Sequence, residues 1–238
     1  MTDHVELLKR RAALKAVEAV ETGTIVGLGH GSTAAFAVRA IAERLVGGSL
    51  TDILAIPCSE EVATLASDLG IPLTSLDEHP EIDLTIDGAD EVDPQMDLIK
   101  GGGGALLREK VVACASRREI IIVDRSKLSA RLGTRFALPV EVVAFAATTE
   151  RRFLSSLGAE VSLRGGAEPF RTDQGNVILD CRWEGIENPN ELADQLDRRP
   201  GVVGHGLFLG LATELIVADE AGVFRVERGT DWRDVIPS

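Results

Sequence analysis

Residues 87–110 hold the densest group of side chains suited to acid–base chemistry in this chain of 238 residues. They read DGADEVDPQMDLIKGGGGALLREK, so carboxylates, a lysine and four consecutive glycines share one short span. Glycine adds no side chain to a core and loses the most backbone freedom on folding. The glycine run therefore indicates a place where another group approaches bare backbone. Carboxylates and a cation around it suit a ligand that undergoes proton transfer and develops negative charge.

The DGAD segment follows residues 82–86, which read IDLTI and predict a buried strand. In open α/β sheets, ligands bind beyond the carboxyl ends of the strands, so Asp87 and Asp90 are candidate binding residues. An Asp-rich turn without a ligand is the plainer interpretation, because Asp is common in turns. A metal loop is a third interpretation, but the spacing differs from the calcium pattern and no His or Cys is near. We expect no metal here.

The segment that starts at Lys100 predicts a glycine loop followed by a helix over 105–115, with Glu109 about one turn inside that helix. It is not a nucleotide-binding P-loop, because no Gly-Lys-Ser/Thr follows the glycines. Glu109 either acts on a ligand or is an ordinary solvated helix carboxylate paired with neighbouring bases.

A second loop, GHGST at 29–33, comes between a predicted strand at 24–28 and a helical pattern. Unpaired N–H groups and the dipole at a helix start bind anions, and Ser32 and Thr33 add hydroxyl donors. A dinucleotide fingerprint needs glycine where this chain has Ser32, and an acid at a later strand end. We therefore favour a monophosphate over NAD. A tight turn with Ser32 as a plain N-cap explains the segment about equally well.

Strands and helices alternate through the first part of the chain. Strands are predicted at 24–28, 52–56, 82–86 and 119–123, with helices between them. This alternation predicts an α/β fold, a mostly parallel Rossmann-like sheet flanked by helices. From about residue 133 the pattern changes to short strands and helices of α+β type, and the chain ends in two strands joined by a turn at 220–222. We predict a Rossmann-like catalytic domain of residues 1–132 plus 209–238 and a smaller α+β domain of residues 133–208.

The composition narrows the classes of partner. The net charge of −13 disfavours nucleic acid and anionic membrane surfaces. No run approaches the length of a membrane span, and the charged N-terminus predicts no signal peptide. The three cysteines are widely spaced without a CxxC pair, which fits a reducing cytoplasm and gives no metal signature. A cytoplasmic enzyme acting on a small molecule fits these observations.

Taken in order, GHGST at 29–33, DGADEVD at 87–93 and KGGGGALLREK at 100–110 resemble the ribose-5-phosphate isomerases of type A. The resemblance covers nearly the whole chain and includes DRSK at 124–127, LPVEV at 138–142, GNVILD at 175–180 and PGVVGHGLF at 200–208. It implies interconversion of D-ribose 5-phosphate and D-ribulose 5-phosphate in the non-oxidative branch of the pentose phosphate pathway. It also implies that neither cofactor nor metal is needed, that the chain forms a homodimer, and that the small domain serves as lid or dimerisation domain.

The resemblance assigns roles to residues of this chain. Glu109 matches the catalytic glutamate that moves a proton between C2 and C1 through an enediolate. Lys100 stabilises the negative charge of that intermediate, and Asp87 exchanges a proton with the ring or carbonyl oxygens. The substrate-binding residues implied in the same way are His30, Gly31, Ser32, Thr33, Asp87, Gly88, Ala89, Asp90, Lys100, Gly101, Gly102, Gly103, Lys127 and, less directly, Lys9.

The residues alone leave two other classes of function open. A non-catalytic sugar-phosphate sensor would use the GHGST loop but need no aligned Lys100 and Glu109, and would usually carry a DNA-binding helix-turn-helix segment. An enzyme of the related deaminase or CoA-transferase type is the other rival. The KGGGG…REK segment disfavours both.

His30 stands where the family usually has threonine. A backbone contact to phosphate would survive this change, whereas a hydroxyl contact would not. We hypothesise that protonated His30 strengthens phosphate binding as the pH falls, since histidine changes charge near neutral pH. The affinity for phosphate of His30→Thr, compared with the unmodified protein between about pH 6 and about pH 8, tests this. Identical pH profiles for the two proteins would contradict the hypothesis.

Overall fold

The computed structural model describes residues 2–237, with side chains from residue 4 onward. The helices are α1 (Thr2–Val17), α2 (Ser32–Val46), α3 (Glu60–Asp68), α4 (Leu106–Ala115), α5 (Ala147–Ser156), α6 (Pro189–Asp197) and α7 (Trp232–Val235). The strands are β1 (Ile25–Leu28), β2 (Leu54–Pro57), β3 (Leu84–Asp87), β4 (Glu91–Val92), β5 (Leu98–Ile99), β6 (Glu119–Asp124), β7 (Leu138–Val142), β8 (Glu160–Leu163), β9 (Val177–Arg182), β10 (Val202–His205), β11 (Leu207–Phe208), β12 (Glu214–Ala218) and β13 (Val223–Glu227). Short 3-10 segments occur at Arg125–Lys127 and Ala144–Ala146.

The largest sheet has six strands in the order β13-β12-β6-β3-β1-β2. All neighbouring pairs are parallel except β12 with the edge strand β13. Every residue of β6 is buried, as expected for a central parallel strand covered on both faces. The prediction of a mostly parallel sheet flanked by helices is confirmed. The predicted hairpin at the end of the chain is β12 and β13, and Asp219 closes its turn by accepting hydrogen bonds from the N–H groups of Ala221 and Gly222.

Successive residues of a strand alternate between the two faces of the sheet, so the apolar strands have apolar side chains on both faces. Helices pack against each face. On one face, Val26, Ile86 and Ile120 pack in a cluster with buried residues of α1, α2 and α3. On the other face, Ile56 and Ile82 pack with Val112 of α4 and other apolar residues. The carboxyl ends of the parallel strands therefore open onto one edge, where ligands bind in open α/β sheets.

A second structural unit is built on antiparallel pairing. Its four-stranded sheet has the order β10-β7-β9-β8, and a three-stranded sheet has the order β11-β5-β4. On one face of the larger sheet, Leu138, Val140 and Leu179 pack in a core with Leu154 of α5 and Leu196 of α6. The strands and helices predicted after residue 133 are present, and together they give the α+β texture of that prediction.

The division into units differs from the predicted domain boundaries at residues 90–107, 128–132 and 209. Unit 1 comprises the described residues up to Ala89, Arg108–Lys127 and the described residues from Gly210, whereas unit 2 comprises Asp90–Leu107 and Leu128–Leu209. Residues 90–107 and 128–132 thus belong with unit 2. The reason is long-range pairing: β5 pairs with β11, and Val92 forms a bridge with Leu128. Two-residue strands of this kind leave no periodic pattern in the sequence.

Within residues 2–237, no helix is both long enough and apolar enough to cross a membrane. The three cysteines are free thiols, with Cys58 and Cys181 buried and Cys114 exposed. Burial, and secondarily the neighbouring charge of Asp180, raise the pKa of Cys181 to about 12. The Cys181 thiol is therefore protonated and unreactive in the folded protein.

Candidate active site

Asp87 lies at the carboxyl end of β3, against the loop that follows β1. The two strands are parallel neighbours, and the Gly29 N–H donates to the carbonyl of Ile86 at 3.0 Å. The Asp87 side chain is buried, and its Oδ1 accepts the N–H groups of His30 (3.0 Å) and Gly88 (2.7 Å). A Cβ at position 29 would overlap both the carboxylate and the Cα of Asp87. Only glycine at position 29 lets the two strand ends come this close.

The start of α2 has the features of an anion site. Gly31 is the N-cap, with φ 98° and ψ 175°, a conformation essentially restricted to glycine. Ser32 is the first residue of the helix, and Gly31 caps it without a side-chain hydrogen bond. Ser32 is therefore not the N-cap that the interpretation of this segment as a plain tight turn expected. Lys9 of α1 donates from Nζ to the Ser32 hydroxyl at 2.8 Å. The structure therefore brings the predicted residues Lys9, Gly31 and Ser32 together at the start of a helix, where the first N–H groups have no partner within the helix.

The imidazole of His30 contacts the start of α3. Its Nδ1 lies 3.0 Å from the hydroxyl of Ser59, and its Nε2 lies 4.0 Å from a carboxylate oxygen of Glu61. Ser59 also caps α3 by accepting the N–H of Val62 at 3.1 Å. His30 thus joins the loops after β1 and β2, which sequence reasoning did not foresee. Whether its charge acts on a bound phosphate stays a prediction.

Glu109 and Lys127 are two further predicted residues of unit 1. Glu109 lies in the first turn of α4 and is only 4% exposed, which excludes the solvated-carboxylate interpretation. Lys127 ends the 3-10 segment that follows β6 and is half-buried. Because β6 is the parallel neighbour of β3, Lys127 follows the same edge of the sheet that carries Asp87.

In unit 2, Asp90 holds the glycine run. Its Oδ2 accepts the N–H of Gly102 at 2.7 Å, and its own N–H donates to the carbonyl of Ile99 at 2.8 Å. A Cβ at position 102 would lie 2.7 Å from Oδ1 of the same carboxylate. Asp90 and Gly102, both predicted binding residues, are therefore in direct contact.

The backbone conformation of the glycine run explains why two more of its positions, Gly101 and Gly104, are glycine. Gly101 and Gly104 have φ values of 100° and 88°, and the Gly104 N–H donates to the carbonyl of Gly101 at 3.0 Å. A Cβ at position 101 would lie 2.7 Å from the Cβ of Leu106, and one at position 104 would overlap the ring of Phe170. The protein's own packing thus requires bare backbone at these positions, which adds an internal reason to the ligand approach expected from the sequence.

Lys100 is the most deeply buried of the predicted cations, at 2% exposure. Its N–H donates to the carbonyl of Gly206 at 2.9 Å, and its Nζ lies 5.5 Å from the centre of the Phe208 ring. The pairing of β5 with β11 sets this register, with Leu98 opposite Phe208. Gly206 and Phe208 belong to PGVVGHGLF, whose role in supporting Lys100 sequence reasoning missed because the contact is far along the chain.

The carboxylates of the DGADE segment serve different groups. Asp87 binds the backbone after β1, and Asp90 binds the glycine run. Glu91 is fully buried and accepts hydrogen bonds from the N–H groups of Gly133 (2.9 Å) and Phe136 (3.1 Å), so it anchors a loop. Within the described part of the chain, no group of three or more His, Cys, Asp and Glu side chains could hold a metal ion.

Known proteins match this chain over most of its length. Residues 54–222 match the family model described as ribose 5-phosphate isomerase A (phosphoriboisomerase A). The ribose-5-phosphate isomerase A of Chloroflexus aurantiacus is 59% identical over 94% of this chain and 95% of its own length. That of Desulfatibacillum aliphaticivorans is 54% identical over 92% of this chain and 96% of its own length.

Solved structures agree with the sequence matches. A D-ribose-5-phosphate isomerase in complex with phospho-erythronic acid superposes with a TM-score of 0.92 at 37% identity, over 94% of this chain and 99% of that one. The ribose 5-phosphate isomerase A of Methanocaldococcus jannaschii superposes with a TM-score of 0.89 at 39% identity, over 93% and 99% of the two chains.

The contact between Gly29 and Asp87 predicts a steric effect on stability. Gly29→Ala should lower the free energy of unfolding by about 1–3 kcal/mol, because the clash includes the Cα of Asp87 and not only a movable side chain. Urea unfolding measures this. Gly47→Ala is the control, since Gly47 has a helical φ of −75° and should change stability by less than about 1 kcal/mol. Equal stability of the two variants would contradict the prediction.

Proposed function

The chain belongs to the ribose 5-phosphate isomerase A family, and we propose that it interconverts D-ribose 5-phosphate and D-ribulose 5-phosphate. The observation that supports this most directly is the burial of Glu109, at 4% exposure, in the first turn of the helix that follows Lys100 and its glycine run. A buried carboxylate can act as the base that takes a proton from one sugar carbon and, once protonated, as the acid that gives it to the adjacent carbon. The proposed reaction belongs to the non-oxidative branch of the pentose phosphate pathway.

The phosphate of the substrate is proposed to bind at the start of α2. Gly31 presents exposed backbone there, and Ser32 and Thr33 add hydroxyl donors. Lys9, which contacts the hydroxyl of Ser32, supplies positive charge, and Lys127 is proposed to supply more. The phosphate takes no part in the chemistry. Its binding orders the sugar, so that the reacting carbons are presented to the base in one orientation.

Glu109 is proposed to carry the proton. As a carboxylate it removes the proton from C2 of the open-chain aldose, and the electron pair moves to give an enediolate. The resulting carboxylic acid returns the proton to C1, while the proton of the C2 hydroxyl passes to the oxygen on C1, and this yields the ketose. Lys100 and backbone N–H groups of the glycine run stabilise the negative oxygen of the enediolate. An ammonium as dehydrated as that of Lys100 interacts more strongly with such a charge than one in water.

The remaining residues are proposed to handle the sugar oxygens. Asp87 exchanges a proton with the ring or carbonyl oxygen when the furanose opens, and its carboxylate is held in place by the N–H groups of His30 and Gly88. Asp90 accepts a sugar hydroxyl with the carboxylate that also orders Gly102. The backbone of Gly88 and Ala89, and that of Gly101 and Gly103, is proposed to line the substrate.

We also propose the setting in which the enzyme works. It acts in the cytoplasm as a homodimer, without cofactor or metal, and residues 133–208 serve as its lid or dimerisation region. The net charge of −13 keeps it from nucleic acid and anionic membranes. Sedimentation equilibrium measures the molar mass in solution, and the mass of a single chain at micromolar concentration would contradict the dimer.

An assay of the purified protein tests the function. Ribulose 5-phosphate should appear from ribose 5-phosphate at the same rate with and without a chelator such as EDTA, because no step proposed here uses a metal. Absence of product under both conditions would contradict the isomerase. Product that disappears only with the chelator would contradict the metal-free mechanism and leave the isomerase intact.

A single substitution tests the base. Glu109→Gln should lower kcat by about 10²- to 10⁴-fold, because the amide cannot accept the C2 proton, while the substrate still binds. Steady-state kinetics give kcat, and calorimetric titration with ribose 5-phosphate gives the affinity. Glu191→Gln is the matched control, since Glu191 also lies in the first turn of a helix, α6. A Glu109→Gln variant with near-normal kcat would show that another group is the base.

A further inference from the structure

Arg164 binds the glycine run from one side. Its Nη1 donates to the carbonyl oxygens of Gly101, at 2.9 Å, and Gly102, at 3.1 Å. These are two successive peptide groups, so one guanidinium fixes two adjacent peptide planes. No feature of the sequence marks Arg164, which follows β8 far from the glycines along the chain.

The arginine is itself held firmly. Its Nε donates to Oδ2 of Asp180 at 3.0 Å, and its Nη2 donates to Oδ1 of the same carboxylate. This two-bond geometry orients the planar guanidinium and leaves Nη1 directed at the glycines. The side chain of Arg164 is 17% exposed and that of Asp180 is 24% exposed, so solvent screens the pair only in part.

Phe170 completes the support. The Arg164 guanidinium lies 6.0 Å from the centre of its ring, and that ring occupies the space where a Cβ of Gly104 would be. The turn between the two residues is closed by the N–H of Phe170, which donates to the carbonyl of Arg164 at 2.9 Å. One turn of unit 2 therefore touches the run at Gly101, Gly102 and Gly104.

Holding the carbonyls determines where the N–H groups point. In a planar trans peptide the N–H points opposite to the carbonyl of the preceding residue. The Gly102 N–H shows this, because it points away from Arg164 and reaches the Asp90 carboxylate at 2.7 Å. The carbonyl of Gly102 faces Arg164 as well, so the N–H of Gly103 points to the same side as Asp90.

We propose that Arg164, oriented by Asp180, is a positioning residue that aims the Gly103 N–H at the developing oxyanion of the substrate. This inference rests on the proposed isomerase function and adds to it a residue that does not touch the substrate. The positive charge on the carbonyl side polarises both peptide groups and strengthens their N–H donors. Arg164 holds both carbonyls with one side chain, and glycine backbone that loses such a contact reorients at little energetic cost.

The test distinguishes an effect of Arg164 on the position of the glycine run from an effect on folding and from the loss of one positive charge. Arg164→Gln is compared with Arg164→Lys and with the control Arg182→Gln. Arg182 is exposed, lies on β9 two residues from Asp180, and lines the same cavity as Arg164 and Gly102, so its replacement removes an equal charge from the same place. The measurements are kcat for ribose 5-phosphate, affinity for phospho-erythronic acid, affinity for inorganic phosphate and the unfolding midpoint.

We expect Arg164→Gln to lower kcat and the affinity for phospho-erythronic acid by about 10- to 100-fold, the size of effect that misplacing a catalytic group produces. The affinity for inorganic phosphate should stay within about twofold, because that anion binds at the start of α2. Arg164→Lys should recover part of both losses, since a lysine can donate to one carbonyl but not span both and Asp180. Arg182→Gln should match the unmodified protein.

Three results would overturn the proposal. They are an Arg164→Gln variant with unchanged kcat, a loss shared equally by inorganic phosphate, and an equal loss in Arg182→Gln. If Arg164→Gln does not fold, Arg164→Lys decides: reduced kcat with normal phosphate affinity supports positioning, and full kcat overturns it. An unmodified protein without isomerase activity would instead overturn the proposed function, which the same assay detects first.

Discussion

The carboxylate of Asp87 rests against the backbone of Gly29, and the geometry of the sheet edge depends on that contact. It requires a residue without a Cβ at the end of β1, a short acid at the end of β3, and parallel pairing that brings the two ends level. The N–H groups of His30 and Gly88 then complete the setting of the carboxylate. A larger residue at position 29 would separate the two loops, and the start of α2 would move with them.

The loops next to the contact between Asp87 and Gly29 carry other candidate residues. The loop after β1 leads through His30 to Gly31, whose left-handed φ precedes the first residue of α2. The first N–H groups of a helix have no partner within the helix and can bind an anion. The imidazole of His30 reaches Ser59 and so ties in the loop after β2. On the other side, β6 is the parallel neighbour of β3 and delivers Lys127. The order of the strands in one sheet thus places the residues of unit 1 that are proposed to bind the phosphate and the sugar.

Unit 2 holds the glycine run, residues 101–104, whose backbone is flexible by itself. Four glycines in sequence would sample many conformations. Here a negative carboxylate, Asp90, binds one side of a peptide group, and a positive guanidinium, Arg164, binds the other. The peptide dipole lies between opposite charges, which orders it without any side chain in the run itself. A glycine-rich segment that would be flexible by itself therefore has a defined backbone conformation.

The sequence by itself determined the fold class, because strand and helix periods and glycine loops are local signals, and the resemblance of its motifs to a known family indicated the candidate residues. It indicated Glu109 as a candidate but could not decide between a solvated helix carboxylate and a buried one. Nor could it show that Glu91 anchors a loop, that residues 90–107 belong to unit 2, or that Gly102 and Gly104 are required by Asp90 and Phe170. Arg164 carried no pattern at all. Only the tertiary structure decided these points, because each depends on contacts between segments that lie far apart in the chain.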